Sequence, residues 1–340
     1  MPDAKPATTP SPALVFDVAG RYADTAVLTA AIELEVFTAI GEGHATAAAL
    51  ARRCEASARG MRILCDTLTI LGFLTKNGDT YVLTPDSAMF LDKRSRAYLG
   101  SITRFVGGTP NRHAFALLTE AVRKGGTAIS EQGSMEPENP LWVEFARSMA
   151  PMMYLPAEFI AAALGVHEGK RSKVLDIAAG HGVFGITIAR HNHNAEITAV
   201  DWPAVLDVAL ENAQHAGVVT RYHLLPGSVF DVDLGTGFDI VLITGFLHHF
   251  DMATCETLLR KVHRAMVPGG RVVVLDFVPN EDRVTPPETA KFSIIMLAQT
   301  RAGDAYTFSE YQRMLDNAGF GALTLEHIPP TPLQIVVGVA

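Results

Sequence analysis

The stretch Val174-Leu175-Asp176-Ile177-Ala178-Ala179-Gly180-His181-Gly182-Val183-Phe184-Gly185 constrains the chain more than any other. It reads as a buried strand, a glycine turn and the first residues of a helix. Gly180 and Gly182 lack a Cβ, so the backbone can take positive φ and a ligand can lie against it. The helix that follows turns free N–H groups toward any carboxylate or phosphate bound there. Such a loop is built for an adenosine-bearing ligand. Asp201 follows at the distance where an acid meets ribose hydroxyls in open α/β sheets. Gly180-x-Gly182-x-x-Gly185 also fits the dinucleotide fingerprint, so NAD stays open on the loop alone.

Three further features shift the balance to S-adenosylmethionine. Asp176 ends the strand, Gly227-Ser228-Val229-Phe230-Asp231 follows the third strand, and Pro268-Gly269-Gly270 lies between a helix and a strand late in the chain. Together they resemble the class I methyltransferase pattern, and within it the small-molecule O-methyltransferases that include the caffeate and acetylserotonin enzymes and bacterial natural-product enzymes. The resemblance covers nearly the whole chain. It implies a Rossmann-like, doubly wound α/β sheet preceded by an all-helical, winged-helix dimerisation domain.

Composition agrees with two domains. The chain has 340 residues, 48% of them hydrophobic, enough for two sizeable interiors. Its formal net charge of −8 disfavours a nucleic-acid coat or an anionic membrane as partner. The three cysteines, Cys54, Cys65 and Cys255, match neither a zinc nor a disulfide spacing, as expected of a reducing cytoplasm. Residues 1–12 read as a frayed tail without the apolar core of a secretory signal, and charges interrupt every apolar run that could span a membrane.

Apolar positions from Leu14 to Phe37 recur at helical spacing and predict one long amphipathic region ending near Gly41 and Gly43. A short helix over 46–53, a longer one over 57–74 with Ser57 as N-cap, and a hairpin turning at Asn77-Gly78 complete a winged helix within residues 13–100. Met61, Ile63, Leu64, Leu68, Ile70 and Leu71 commit the longer helix to packing, and the base-reading cluster of a recognition helix is thin. A DNA-binding regulator is therefore the weaker reading, and a homodimer, which the resemblance implies, the stronger. Residues 101–165 read as a helical linker broken by Gly107-Gly108, Gly125-Gly126 and Pro137 to Pro140. Residues 166–340 alternate strands and helices and form the cofactor-binding catalytic domain. The resemblance further implies that the last strand inserts antiparallel.

Asp176 is expected to support the glycine loop, Asp201 to hold the ribose, and Trp202 to cover the adenine or simply pack. Ser228 stands where relatives place an acid for the adenine amino group, with Val229 and Phe230 beside it. Thr244 ends the fourth strand and joins the cofactor site. His248 aligns with the family's general base: a neutral imidazole can take a phenol's proton as oxygen is methylated. His249 is expected to be structural. A metal site from His248, His249 and Asp251 is rejected because adjacent residues of one strand point to opposite faces. The acids that relatives place around the base align with Ser293 and Ala305; Asp304 or Glu288 could orient His248 instead, though each reads first as an ordinary solvated acid. By the same resemblance Phe145, Met149 and Met152 line the acceptor pocket, and Met296 is placed with them. The losses at Ser293 and Ala305 keep methylation of carbon or nitrogen open beside methylation of a hydroxyl on an aromatic or polyketide-like molecule.

Overall fold

The computed structural model describes residues 10–166 and 170–340. Most of the expected tail, residues 1–9, lies outside the described residues. Two compact units divide the chain, one ending at Gly107 and the other running from Gly108 to Ala340.

The first unit opens with α1 (Ala13–Glu33) and α2 (Val36–Gly41), so the single amphipathic helix expected over 13–40 is broken. Glu35 makes the break with a left-handed φ of 57°, which turns Val36 and Phe37 inward. Its carboxylate is paired with Lys93 and with Arg53, and these cations hold it below the usual carboxylate range. Next come α3 (Ala47–Arg53), α4 (Ala58–Ile70), the hairpin of β1 (Leu74–Asn77) and β2 (Thr80–Leu83), α5 (Pro85–Phe90) and α6 (Ile102–Val106). Ser57 caps α4 by accepting from Gly60 N at 3.0 Å. The face of α4 carrying Met61, Cys65 and Leu68 packs on Phe37, Leu50 and Tyr81. Ile63 and Ile70, expected in the packing, are exposed instead. Asn77 pairs with Thr80, so the two turn residues of the hairpin are Gly78 and Asp79 rather than Asn77 and Gly78. Gly78 takes the positive φ that such a turn demands.

The second unit starts with α7 (Thr109–Ala116), α8 (Leu118–Lys124) and α9 (Leu141–Ala163), which runs unbroken through Pro151 and Pro156. A Rossmann-like alternation follows: β3 (Ser172–Ile177), α10 (Val183–His191), β4 (Ala195–Asp201), α11 (Pro203–His215), β5 (Tyr222–Pro226), β6 (Phe238–Thr244), α12 (Met252–Ala265) and β7 (Met266–Asp276). The chain ends with α13 (Pro287–Ala290), α14 (Phe292–Gln299), α15 (Phe308–Ala318), β8 (Gly321–His327) and β9 (Gln334–Val339). The seven strands lie in the order β5-β4-β3-β6-β7-β9-β8. β3 to β7 pair in parallel, and β9 inserts antiparallel between β7 and β8, as the resemblance implied. Strands buried on both faces need apolar runs, and Ile240 to Ile243 and Val272 to Leu275 supply them. One face packs on α9, α10 and α11, the other on α12 and α15. Strand order reverses between β3 and β6, so ligands are expected beyond the carboxyl ends of these strands.

Candidate active site

Beyond β3 the chain makes its tight turn with Ala178, Gly180 and Gly182 all at positive φ, and α10 begins at Val183. A Cβ on Gly182 would lie 2.6 Å from the Tyr222 hydroxyl, so this glycine serves close packing inside the fold. A Cβ on Gly180 would meet the Ala178 carbonyl oxygen only at an ordinary 3.8 Å, and the Gly180 N–H donates to Asp201 Oδ2 at 2.8 Å. The other oxygen of Asp201 accepts from Trp202 N at 2.7 Å, and burial lifts this carboxyl to about 6 against those two bonds. Asp176 sits wholly buried beneath the turn. Its Oδ2 accepts from Gly185 N at 3.1 Å, its Oδ1 has no partner among the described residues, and burial lifts it to about 7.

A cleft of about 350 Å³ opens on this turn. Its walls are Ala178, Asp201 and Trp202 from the β3 and β4 ends, Gly227 to Asp231 after β5, Phe246 and Phe250 after β6, and Gln132, Met135 and Pro137 from the segment before α9. Ser228, Val229 and Phe230 therefore stand in the cleft. The Ser228 hydroxyl accepts from Phe230 N at 3.2 Å, which ties it to the local turn and leaves its O–H and a second lone pair available. Asp231, exposed on the same wall, is the free acid at this point. Thr244, half-buried at the end of β6, is not among the walls. Pro268-Gly269-Gly270 lies at the start of β7, where Gly269 N bonds the Ala340 carbonyl. That is the end of the strand away from Asp276, so this turn shapes the sheet rather than the cleft.

After β6 the chain bends into a short 3₁₀ turn, Leu247–His249. The two histidines are thus not on a strand, and the argument from opposite strand faces does not apply to them. Their rings lie 4.3 Å apart. Asp251 caps α12, and no group of three potential metal ligands occurs among the described residues. His248 Nδ1 lies 2.6 Å from Asp276 Oδ1 at the end of β7. Asp276 also accepts from Phe277 N at 2.8 Å and from the Tyr311 hydroxyl at 2.8 Å. A carboxylate gathering donors in this way takes Nδ1–H as another, which leaves the Nε2 lone pair of His248 free for a ligand.

Asp276 is the acid that the sequence analysis missed. Asp304 is bound to Arg283 at 3.2 Å and Glu288 is exposed in the first turn of α13; neither orients His248. Ala305 is fully buried and Ser293 lies in α14. The available signal was the one used for Asp201, an acid closing a buried parallel strand.

Aromatic rings enclose the pair. Phe292 meets His248 edge-on at 4.8 Å and stacks on Phe277 at 4.0 Å, while Trp142 meets His249 at 5.2 Å. His249 Nδ1 is buried without a partner among the described residues, and burial drives this ring well below the ordinary histidine value. Phe145 packs on Trp142 at 5.7 Å. Met149 is half-buried on α9, Met152 is exposed there, and Met296 is enclosed within α14. Trp142 was not anticipated.

Residues 135–321 match the O-methyltransferase domain, and residues 16–93 match the O-methyltransferase dimerisation domain. The chain belongs to the O-methyltransferase family. This family member is 29% identical to 3-hydroxy-5-methyl-1-naphthoate 3-O-methyltransferase of Streptomyces sahachiroi, over 96% of this chain and 95% of that one. It is 52% identical to a candidate O-methyltransferase of Nostoc punctiforme whose solved structure superposes with a TM-score of 0.94, covering 98% of this chain and all of that one. Human N-acetylserotonin methyltransferase, solved with S-adenosylmethionine, shares the fold at 24% identity and a TM-score of 0.84, with 99% of each chain covered. The enzyme is an S-adenosylmethionine-dependent methyltransferase, and the cleft fits that cofactor: a tight glycine turn, a half-buried acid at the β4 end, and an apolar floor with an exposed acid beside it.

Proposed function

We propose that this methyltransferase acts on a hydroxyl of an aromatic or polyketide-like small molecule, with His248 as general base. When bound, S-adenosylmethionine supplies a methyl group made electrophilic by its sulfonium. Asp201 holds the ribose hydroxyls, Trp202, Val229 and Phe230 flank the adenine, and Asp231 takes the adenine amino group in place of Ser228. Asp176, Gly180 and Gly182 shape the turn beneath. His248 Nε2 accepts the proton of the acceptor hydroxyl, and Asp276 stabilises the resulting imidazolium through Nδ1. Phe292, Trp142 and Phe145 form aromatic walls that exclude water and favour a flat acceptor. Met149 and Met296 extend these walls.

One observation carries the proposal: the 2.6 Å contact between His248 and Asp276, both buried. Methylation of an amine or an activated carbon needs less proton removal and gives such a pair less to do. The naphthoate specificity of the Streptomyces relative and the ring-lined site support an aromatic acceptor. We also propose that residues 13–100 form the dimer interface as a winged-helix domain, and that residues 101–165 bring α9 to the acceptor pocket. Mass spectrometry of products from phenolic, amine and indole acceptors tests the reading. Methyl on oxygen supports it, and methyl confined to nitrogen or carbon overturns it.

A further inference from the structure

The segment 303–311 grips the histidine turn and its acid at three points. Gly303 lies against the turn so closely that a Cβ there would sit 2.1 Å from the His248 carbonyl oxygen. The Tyr306 hydroxyl donates to the Phe250 carbonyl at 2.5 Å. The Tyr311 hydroxyl, on a side chain with no exposure, donates to Asp276 Oδ2 at 2.8 Å. Asp276 therefore shares itself between Tyr311 on one oxygen and His248 Nδ1 with Phe277 N on the other.

No arginine or lysine among the described residues pairs with Asp276. The titratable groups around it are His248 and His249 on the turn, Cys255 of α12, and Tyr306 and Tyr311 around the start of α15; α14 contributes the uncharged Phe292. Tyr311 is thus the side chain besides His248 that hydrogen-bonds this carboxylate.

We propose that Tyr311 is a positioning residue for the base: its hydroxyl fixes Asp276 so that Oδ1 meets Nδ1, and it moderates how strongly the carboxylate draws the imidazole proton. The inference rests on the reading of His248 as base. A donor on Oδ2 disperses the carboxylate's charge and weakens it as a base. Without that donor Asp276 pulls harder on Nδ1–H, and the imidazole becomes more basic at Nε2. A filler of the core could lose its hydroxyl without that consequence.

The test compares the full-length parent with Tyr311→Phe and Tyr306→Phe, reading the pH dependence of kcat and the proton spectrum of the imidazole N–H that faces Asp276. Tyr311→Phe is expected to move the rising limb of the profile upward by about 0.5 to 1 pH unit and to shift the N–H resonance downfield. Tyr306→Phe keeps the ring that meets Tyr311 and removes a hydroxyl bonded to the Phe250 carbonyl rather than to Asp276, and should leave the limb in place. If Tyr311→Phe does not fold, 3-fluorotyrosine at position 311 keeps the ring and strengthens the donor, and the limb should then move downward. An unchanged limb in a folded, cofactor-binding Tyr311→Phe enzyme, or with 3-fluorotyrosine, overturns the positioning role and leaves the base reading standing. A limb that persists unchanged in His248→Ala overturns the base reading and this inference with it.

Discussion

Asp276 and Asp176 lie at the carboxyl ends of β7 and β3, with β6 between them, yet their surroundings set them different tasks. Asp276 collects three donors, one of them His248. Asp276→Asn keeps the size and loses the charge, and should lower kcat by a factor on the order of 10 to 1,000 with little change in cofactor affinity. Steady-state kinetics beside calorimetric titration of S-adenosylmethionine checks both parts. Among the described residues Asp176 has one donor and a bare oxygen, and its carboxyl rises to about 7 because burial disfavours its charge. Its folded value lies above its unfolded one, so the stabilisation from its neutral form is present at low pH and is lost as pH rises through about 7. Asp176→Asn removes this dependence. From about pH 5 to about pH 7.5 the parent should lose on the order of 1 to 3 kcal/mol more stability than the variant. Denaturant unfolding at the two pH values decides it, and equal losses would speak against a neutral Asp176. Ala178 carries a different strain, a φ of 51° in a residue with a Cβ. Ala178→Gly should raise stability by up to about 1 kcal/mol, and a lower unfolding midpoint would argue against stored strain there.

The 3₁₀ turn Leu247–His249 shows where sequence reading stops. Strands β3, β4, β6 and β7 were legible because a strand buried on both faces must be an apolar run, and the glycine turn was legible because only certain residues take its φ values. His248 was singled out from its place after β6. Its partner was not, because Asp276 is 28 residues away and meets it only when β6 and β7 pair in parallel. Trp142 and Gln132 were missed for the same reason: nothing local marks a loop or helix residue that tertiary packing brings to a cleft. The break at Glu35 escaped because its left-handed backbone is held by partners from α3 and from the segment after α5. Gly303 carries no motif, yet the carbonyl of His248 leaves no room for a Cβ beside it. Gly303→Ala should therefore displace the turn, with a stability loss on the order of 1 to 3 kcal/mol and a fall in kcat larger than that in cofactor affinity. Thermal unfolding and kinetics together test this, and a variant with parental values in both would show that the turn gives way without consequence.

On the scale of the whole chain, α1 leaves Leu14, Val15, Phe16, Val18 and Tyr22 between 54% and 80% exposed, within the match to the family's dimerisation domain for all but its first residues. Such a stripe needs a cover, and a second copy of the chain is the one proposed here. Leu14→Asp with Phe16→Asp should shift the protein from dimer to monomer at micromolar concentration in light scattering; a parent that is already monomeric would remove the proposal. No helix among the described residues is long and apolar enough to cross a membrane. The central proposal, supported by the family, the cleft and the buried histidine–carboxylate pair, is that the enzyme methylates a hydroxyl with His248 taking its proton. The most direct measurement is the single-turnover rate of methyl transfer to a phenolic acceptor by the parent and by His248→Ala, each saturated with S-adenosylmethionine. A rate lower by a factor on the order of 100 to 10,000 is expected in the variant, with cofactor affinity unchanged. Equal rates in the two proteins would contradict it.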